Sequence, residues 1–404
     1  MKAEERSFSD LNEPLAPRRT RLEEFWRLFR KNRLATAGMV IFVVFFLTAL
    51  VGLFLTYGRD PVFDPARVRL TEKLRPPLSK PRYQMVPPDQ VPPLGIYLFG
   101  TDNLGRDVFA RMLQGAWVSL TVGFVAVGIS ILVGIIMGGI AGYFGHEQIR
   151  FYHLPLACIV VAGTVSLGAG FFLVFSFKGS SSVLTGFALA GLGLFLFGTA
   201  RRANSFLVRK ARGRASLPLW LRLLRREITS VDAFIVRIVD IMLCFPSFFL
   251  ILTVVALLPA SIYNIMIVIG LTSWMGTTRF VRAEFLSLRE QDFVTAAKAL
   301  AVSDLRIIFR HMMPNAIAPV LVSATIGIAS AILVEAALSF LGFGVPPPDA
   351  TWGNILSDGK RFIFDAPWLT FIPGFAILIV VLAFNLFGEG LRDVLNPRLR
   401  ERHG

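Results

Sequence analysis

Glu335 stands among apolar neighbours in a stretch of membrane-spanning length, residues 316–343. An ionisable side chain there marks a solute path or a gate, or else is held by a hydrogen bond to a neighbouring helix. Trp274 shares an only moderately apolar stretch with Thr272, Ser273, Thr277 and Thr278, and a span that need not be fully apolar faces protein or a water-filled path. Asp102, Arg106, Asp107 and Arg111 fall at helical spacing ahead of another apolar run, which suits an interfacial helix with local ion pairs worth little each. The four histidines (His146, His153, His311, His403) show no paired-ligand spacing, and Cys158 and Cys244 both lie in apolar segments. There is no phosphate-cradling GxxxxGK[ST] loop. No catalytic constellation, metal site or cofactor site is therefore expected, and any nucleotide hydrolysis must occur on another chain.

The densest polar pattern is EFLSLREQDFVTAAKALAVSDLRIIFRHMMPN, residues Glu284 to Asn315, between two long apolar segments. Phe293, Ala297 and Leu300 share a helical spacing, as do Leu305, Ile308 and Met312, so the stretch is expected to form two amphipathic helices. Ser303 or Asp304 supplies the N-cap of the second, and Pro314 fits where the chain re-enters the membrane. The whole reads as a polar helical elbow on one membrane face.

The elements that must position these residues are membrane spans. Hydrophobic residues make up 54% of the 404, with charged residues at 17%, and they gather in blocks of about 20, the length needed to cross a bilayer. Eight such blocks run over residues 34–56, 116–143, 154–177, 183–200, 236–258, 261–281, 316–343 and 368–388. Pro246 is expected to kink the fifth. The second is rich in glycine (Gly123, Gly128, Gly134, Gly138, Gly139, Gly142), which lets helices approach closely in lipid.

A net charge of +15 would suggest nucleic acid in a soluble protein. Here the basic residues cluster beside apolar spans, so the positive-inside rule accounts for them and no nucleic-acid partner is expected. The basic tails, residues 1–33 and 391–404, are both placed in the cytoplasm. LEEFWRLFRKNR in the first is an amphipathic surface helix with Phe25, Leu28 and Phe29 on its apolar side, or a solvated tail. Residues 34–112 hold the first span and a proline-rich external loop. Residues 146–230 differ from their flanks, with two apolar segments followed by a basic stretch. They read as an inserted helical hairpin, or as a re-entrant pair. In the outer loop after residue 343, Trp352 and Trp368 fit an interfacial cap.

Five stretches together resemble one family: FWRLFRKNRLATAG, FGTDNLGRDVFARMLQGAWVSLTVG, VRIVDIMLCFP, the elbow, and EAALSFLGFGVPPPDATWGNIL with FNLFGEGLRDVLNPRLR. They are similar to the C-type permease subunit of the peptide/nickel class of ABC importers, and the likeness covers nearly everything outside residues 146–230. The resemblance implies an all-α integral membrane protein with the type I ABC importer transmembrane fold, in which residues 113–390 form the transmembrane domain. About six core spans plus the inserted hairpin make about eight. It implies a bacterial or archaeal inner-membrane location and four kinds of neighbour: a B-type permease, two ATPase subunits, an external substrate-binding protein and membrane lipid. The elbow, residues 284–315, corresponds to the family's "EAA" signature, which docks on the ATPase. Carried over, its Glu-Ala-Ala positions are Thr295, Ala296 and Ala297, its glycine is Ala301 and its closing proline is Pro314, with Ser303 and Asp304 also assigned to coupling.

Three departures stand out. Thr295 replaces the signature acid, and Ala301 replaces glycine, so that a left-handed turn would cost about 1 kcal/mol or more unless the turn is built differently. Trp117 stands where many relatives carry arginine. The resulting expectation is a permease that moves peptides or similar small solutes by alternating access, driven by ATP hydrolysis on partner chains. Nickel chelates remain open as cargo. Its rivals are a secondary transporter or channel that needs no ATPase, and a membrane-embedded enzyme.

Overall fold

The computed structural model describes residues 21–58, 60–84, 86–87, 91–145, 148–150 and 227–395. The chain divides into two compact units, one of Met1–Tyr143 with Asp240–Gly404, the other of Phe144–Val239.

Asn32 sets the first junction of the larger unit. It interrupts an amphipathic helix α1 (Arg21–Lys31) and caps the long apolar α2 (Arg33–Thr56), its side-chain carbonyl accepting the Ala35 amide at 3.1 Å. Phe29 of α1 is fully buried with Ala35 and Val394, so α1 is a docked helix, anchored to the ends of α2 and of the last helix. The proline-rich loop comes next, with a 3-10 turn at Leu70–Glu72, and leads into α3 (Val108–Tyr143). This helix starts well before the expected span at residue 116.

The expected kink at Pro246 is a full break. α4 (Val231–Leu243) and α5 (Ser247–Leu257) are bent by 78°, with Pro246 at the N-cap of α5. Proline has no amide to donate and disfavours helical geometry in the residue before it, which favours a break here, although α8 and α10 each run through an internal proline, Pro319 and Pro373. Next come α6 (Ile262–Arg289), the short α7 (Asp292–Ala299) and a single turn at Asp304–Arg306. A π-helical stretch, Ile307–Met312, then leads into α8 (Met313–Phe340). The short α9 (Trp352–Gly359) follows, and α10 (Trp368–Leu395) closes the bundle.

Glycine spacing decides the central packing. Gly134, Gly138 and Gly142 form a stripe on α3 against Thr277, Thr278, Val281 and Phe285 of α6. A Cβ on Gly138 would stand 2.6 Å from the Thr278 carbonyl oxygen, so the two backbones meet there directly.

Among the described residues, four segments are long and apolar enough to cross a membrane: α2, α3, the continuous Asp304–Phe340 run and α10. The bent pair α4–α5 would make a fifth. α6, expected as a span over 261–281, falls outside this set because Asn264, Thr272, Ser273, Thr277 and Thr278 lower its hydropathy. It is long enough, at 28 residues, and its polar side chains are largely covered: Asn264, Thr272, Thr277 and Thr278 are all buried. The expected spans 154–177 and 183–200 lie outside the described residues.

In the smaller unit, Gln148–Arg150 pairs antiparallel with Glu227–Ser230. It is the one sheet among the described residues and a departure from an all-helical chain. Extended segments lying side by side satisfy their backbone donors and acceptors by pairing.

Candidate functional site

The elbow is two short helical pieces joined by a left-handed turn. α6 continues to Arg289, six residues into the stretch read as elbow, and the chain breaks at Glu290–Gln291. α7 ends in a Schellman motif: the Ala301 amide donates to the Lys298 carbonyl at 3.0 Å and the Val302 amide to the Ala297 carbonyl at 3.1 Å. Ala301 sits at φ +53. The alanine therefore adopts the conformation that glycine would supply freely, at a cost of about 1–2 kcal/mol.

Ser303 takes the N-cap position with extended backbone, yet its side chain makes no capping bond. Asp304 is engaged elsewhere: the Tyr143 hydroxyl, at the end of α3, donates to it at 2.6 Å. Lys298 Nζ lies 5.2 Å above the Tyr143 ring. Thr295, Ala296, Ala301, Ser303, Asp304 and Pro314 are exposed, whereas Ala297 is buried with Val294.

The apolar stripes differ from those read in the sequence. Phe293 (39% exposed), Leu300 (79%) and Leu305 (66%) face outward with Phe309 (61%), while Val294, Ile307, Ile308 and Met312 face in. Ile307 and Met312 are five apart, and both are fully buried because the segment winds with π-helical rather than α-helical spacing. That widening also accommodates Pro314, whose ring would crowd the preceding turn of an α-helix. The elbow thus presents a cluster of four large apolar side chains away from its own bundle.

At the opposite end of α3 the polar set is not a continuous helix; Asp102, Asp107 and Arg111 are buried and Arg106 is half-buried. Asp102 is wholly buried and accepts the Leu104 and Arg106 amides at 2.8 and 2.9 Å. It also takes Arg106 Nε and Arg111 Nη1, each at 2.7 Å. Asp358 of α9 binds Arg106 Nη2 at 3.0 Å and Arg111 Nη1 at 2.8 Å. Gly105, at φ +71, makes the tight loop possible. The Asp102–Arg111 pair is an interior one, and the pairs to Asp358 lie at its partly exposed edge, so the network differs from isolated interfacial pairs. Asp107 accepts the Phe109 amide at 2.9 Å at the start of α3. Burial pushes its carboxyl up to about 6, against the opposing pull of the Phe109 amide and the Arg69 charge.

Glu335 and Trp274 are interior positions. Glu335 is fully buried and accepts Ser339 Oγ at 2.7 Å and Ser119 Oγ at 3.4 Å. Ser119 in turn accepts the Trp352 amide at 3.4 Å, so this carboxyl joins α3, α8 and α9. Trp352, expected in an interfacial cap, is core, its indole donating to the Met112 carbonyl at 3.2 Å. Trp368 instead donates to the Thr101 carbonyl at 3.3 Å. Neither Glu335 nor Trp274 lines the hollow of about 220 Å³ between α3, α6 and α8, where Ser130, Ser273, Thr277, Ser323 and Ser330 supply hydroxyls.

Residues 217–401 match the family described as the inner membrane component of binding-protein-dependent transport systems. Residues 20–77 match the N-terminal transmembrane domain of oligopeptide transport permease C. The chain is 32% identical over 377 residues to the dipeptide transport system permease protein DppC of Alkalihalophilus pseudofirmus, covering 93% of this chain and 90% of that one. It belongs to the C-type permease family of peptide ABC transporters. The DppC of Haemophilus influenzae is 30% identical over 97% of this chain and 100% of its own. The oligopeptide permease OppC of Bacillus subtilis is 28% identical over 92% and 88%. The permease is a multi-pass membrane protein of helical architecture, and its elbow and the ion-pair residue Asp358 lie within the first match, with α1 and α2 in the second.

Proposed function

We propose that this permease is the transmembrane subunit of an ATP-driven importer of peptides or similar small solutes, working by alternating access with ATP hydrolysed on partner chains. The observation that carries this reading is the outward exposure of Phe293, Leu300, Leu305 and Phe309 on a structured elbow between α6 and α8. Four large apolar side chains on a short polar segment mark a surface built to be covered by protein.

In this reading the elbow docks into an ATPase subunit, with Thr295, Ala296, Ala301, Ser303 and Asp304 near the contact. Ala297 holds α7 to its own chain, and Pro314 fixes the exit into α8. The assembly contains a related B-type permease, two ATPase subunits and an external binding protein. Six core spans of the type I fold are α2, α3, the broken pair α4–α5, α6, the Asp304–Phe340 run and α10. The further spans expected in the insert 146–230 lie outside the described residues, and both termini lie in the cytoplasm. The solute passes along the hydroxyl-lined hollow of α3, α6 and α8, with Trp274 and Glu335 bracing the helices behind it.

The test is purification in mild detergent from the native membrane, with and without Leu300→Glu. Leu300 is exposed, so the new charge leaves the interior of the elbow intact, which Ala297→Glu would not. ATPase subunits should accompany the unmodified chain and be lost with the variant. Recovery of neither an ATPase nor a second permease from the unmodified chain would overturn the reading in favour of an ATPase-independent transporter.

A further inference from the structure

Tyr143 is the last residue of α3, and it touches both arms of the elbow. Its hydroxyl donates to Asp304, after the left-handed turn, at 2.6 Å. Its ring lies under Lys298 of α7, before the turn, at 5.2 Å. Between the two contacts stands Ala301 at φ +53. One side chain thus fastens the two helical pieces across their hinge. It does so from a helix that adjoins the elbow in neither direction of the chain, because α7 continues from α6 and Asp304 leads to α8.

We propose that Tyr143 is a positioning residue that couples the elbow to α3, so that force on the elbow reaches three spans at once. Without it, a push on the elbow would reach α3 only indirectly, through its packing on α6, and the two arms could pivot about Ala301. With it, the push also enters α3, which is locked to α6 along Gly134, Gly138 and Gly142. A hydrogen bond to a carboxylate is stronger than one between neutral groups, and a cation above a ring adds an attraction that needs no hydroxyl. The two contacts are therefore separable by substitution. This inference rests on the proposed ATP-driven reading.

The experiment uses the assembled complex in vesicles and counts ATP hydrolysed per peptide imported, alongside ATPase co-purification. Tyr143→Phe keeps the ring and removes the hydroxyl, Asp304→Ala removes the acceptor, and the double variant closes the cycle. Tyr143→Phe should raise the ATP cost per peptide at least about 3-fold with the ATPase still bound; Asp304→Ala, which lies near the proposed docking contact, is scored per ATPase retained and should do the same, and the double should be no worse than the stronger single. Tyr143→Leu, which also removes the ring, should exceed Tyr143→Phe. If Asp304→Ala does not assemble, Asp304→Asn takes its place in the cycle. An unchanged ratio in Tyr143→Phe, or strictly multiplicative effects in the double, would overturn the coupling role while leaving the importer reading intact. Absence of an ATPase from the unmodified complex would overturn both.

Discussion

Arg111 Nη1 lies 2.7 Å from Asp102 Oδ2, with both side chains at most 3% exposed. Asp102 serves Arg106 as well, so its removal leaves two guanidinium groups with only Asp358 between them. Breaking a buried pair from one side costs about 3–5 kcal/mol because the remaining charge is left without compensation. Asp102→Ala is therefore expected to lower the thermal unfolding midpoint in detergent strongly. Arg392→Ala, which breaks an exposed pair with Glu389, should change stability by less than about 1 kcal/mol.

The left-handed alanine makes a second expectation. Ala301→Gly should relieve about 1 kcal/mol of local strain, and Ala301→Val should add to it, because branching at Cβ crowds that region further. Hydrogen exchange of the amides at 301 and 302, which close the Schellman bonds, reads the difference directly. Protection should rise with glycine and fall with valine.

Helix packing gives a third, with its own control. Gly138→Val places side-chain atoms where a Cβ alone would meet the Thr278 carbonyl at 2.6 Å. It should destabilise the α3–α6 contact by about 1–3 kcal/mol or more. Gly128, on the same helix, has nothing within 4 Å of its would-be Cβ, so Gly128→Val should be close to neutral in the same unfolding measurement.

Asp107 makes stability depend on pH. Its carboxyl is raised by burial from 3.8 to about 6. Between those values the folded chain holds a proton that the unfolded chain has released, so stability falls as pH rises through this interval. The contribution is on the order of 3 kcal/mol. Asn is an equally good cap for α3, and Asp107→Asn should remove this part of the slope between about pH 4 and pH 6. An unfolding midpoint that fell equally in both proteins would contradict the assignment.

The features legible in the sequence are local ones. The elbow shows as polar residues between apolar runs, with Ser303 at a helix start and Pro314 at the re-entry. The glycine stripe on α3 is evident from spacing alone. The buried fate of Asp102 and Arg111 is not, because it depends on Asp358, which arrives from more than 240 residues away. The outward turn of Leu300 and Leu305 is hidden for a similar reason. Each set read at helical spacing splits between inside and outside, because the short helices and the π-helical stretch break the regular period and tertiary packing chooses which residues turn inward. Trp352 illustrates the same point: its indole finds a partner in the Met112 carbonyl of another helix, so the residue enters the core where composition alone suggests an interface. Tyr143 carries a weak signal, an aromatic residue at the end of a glycine-rich span, that gains meaning only beside Lys298 and Asp304.

The π-helical stretch at Ile307–Met312 has a consequence for how this region can vary. Each added residue in a helix rotates the rest of that helix by about 100°, and a π turn takes up one more residue than an α turn. The outward cluster of the elbow and the inward face of α8 are therefore set in phase with each other by a single surplus residue. Deleting one position there would leave a regular helix of sound composition whose two ends point in the wrong relative directions. Insertions and deletions in this segment are constrained by azimuth even where no individual side chain is.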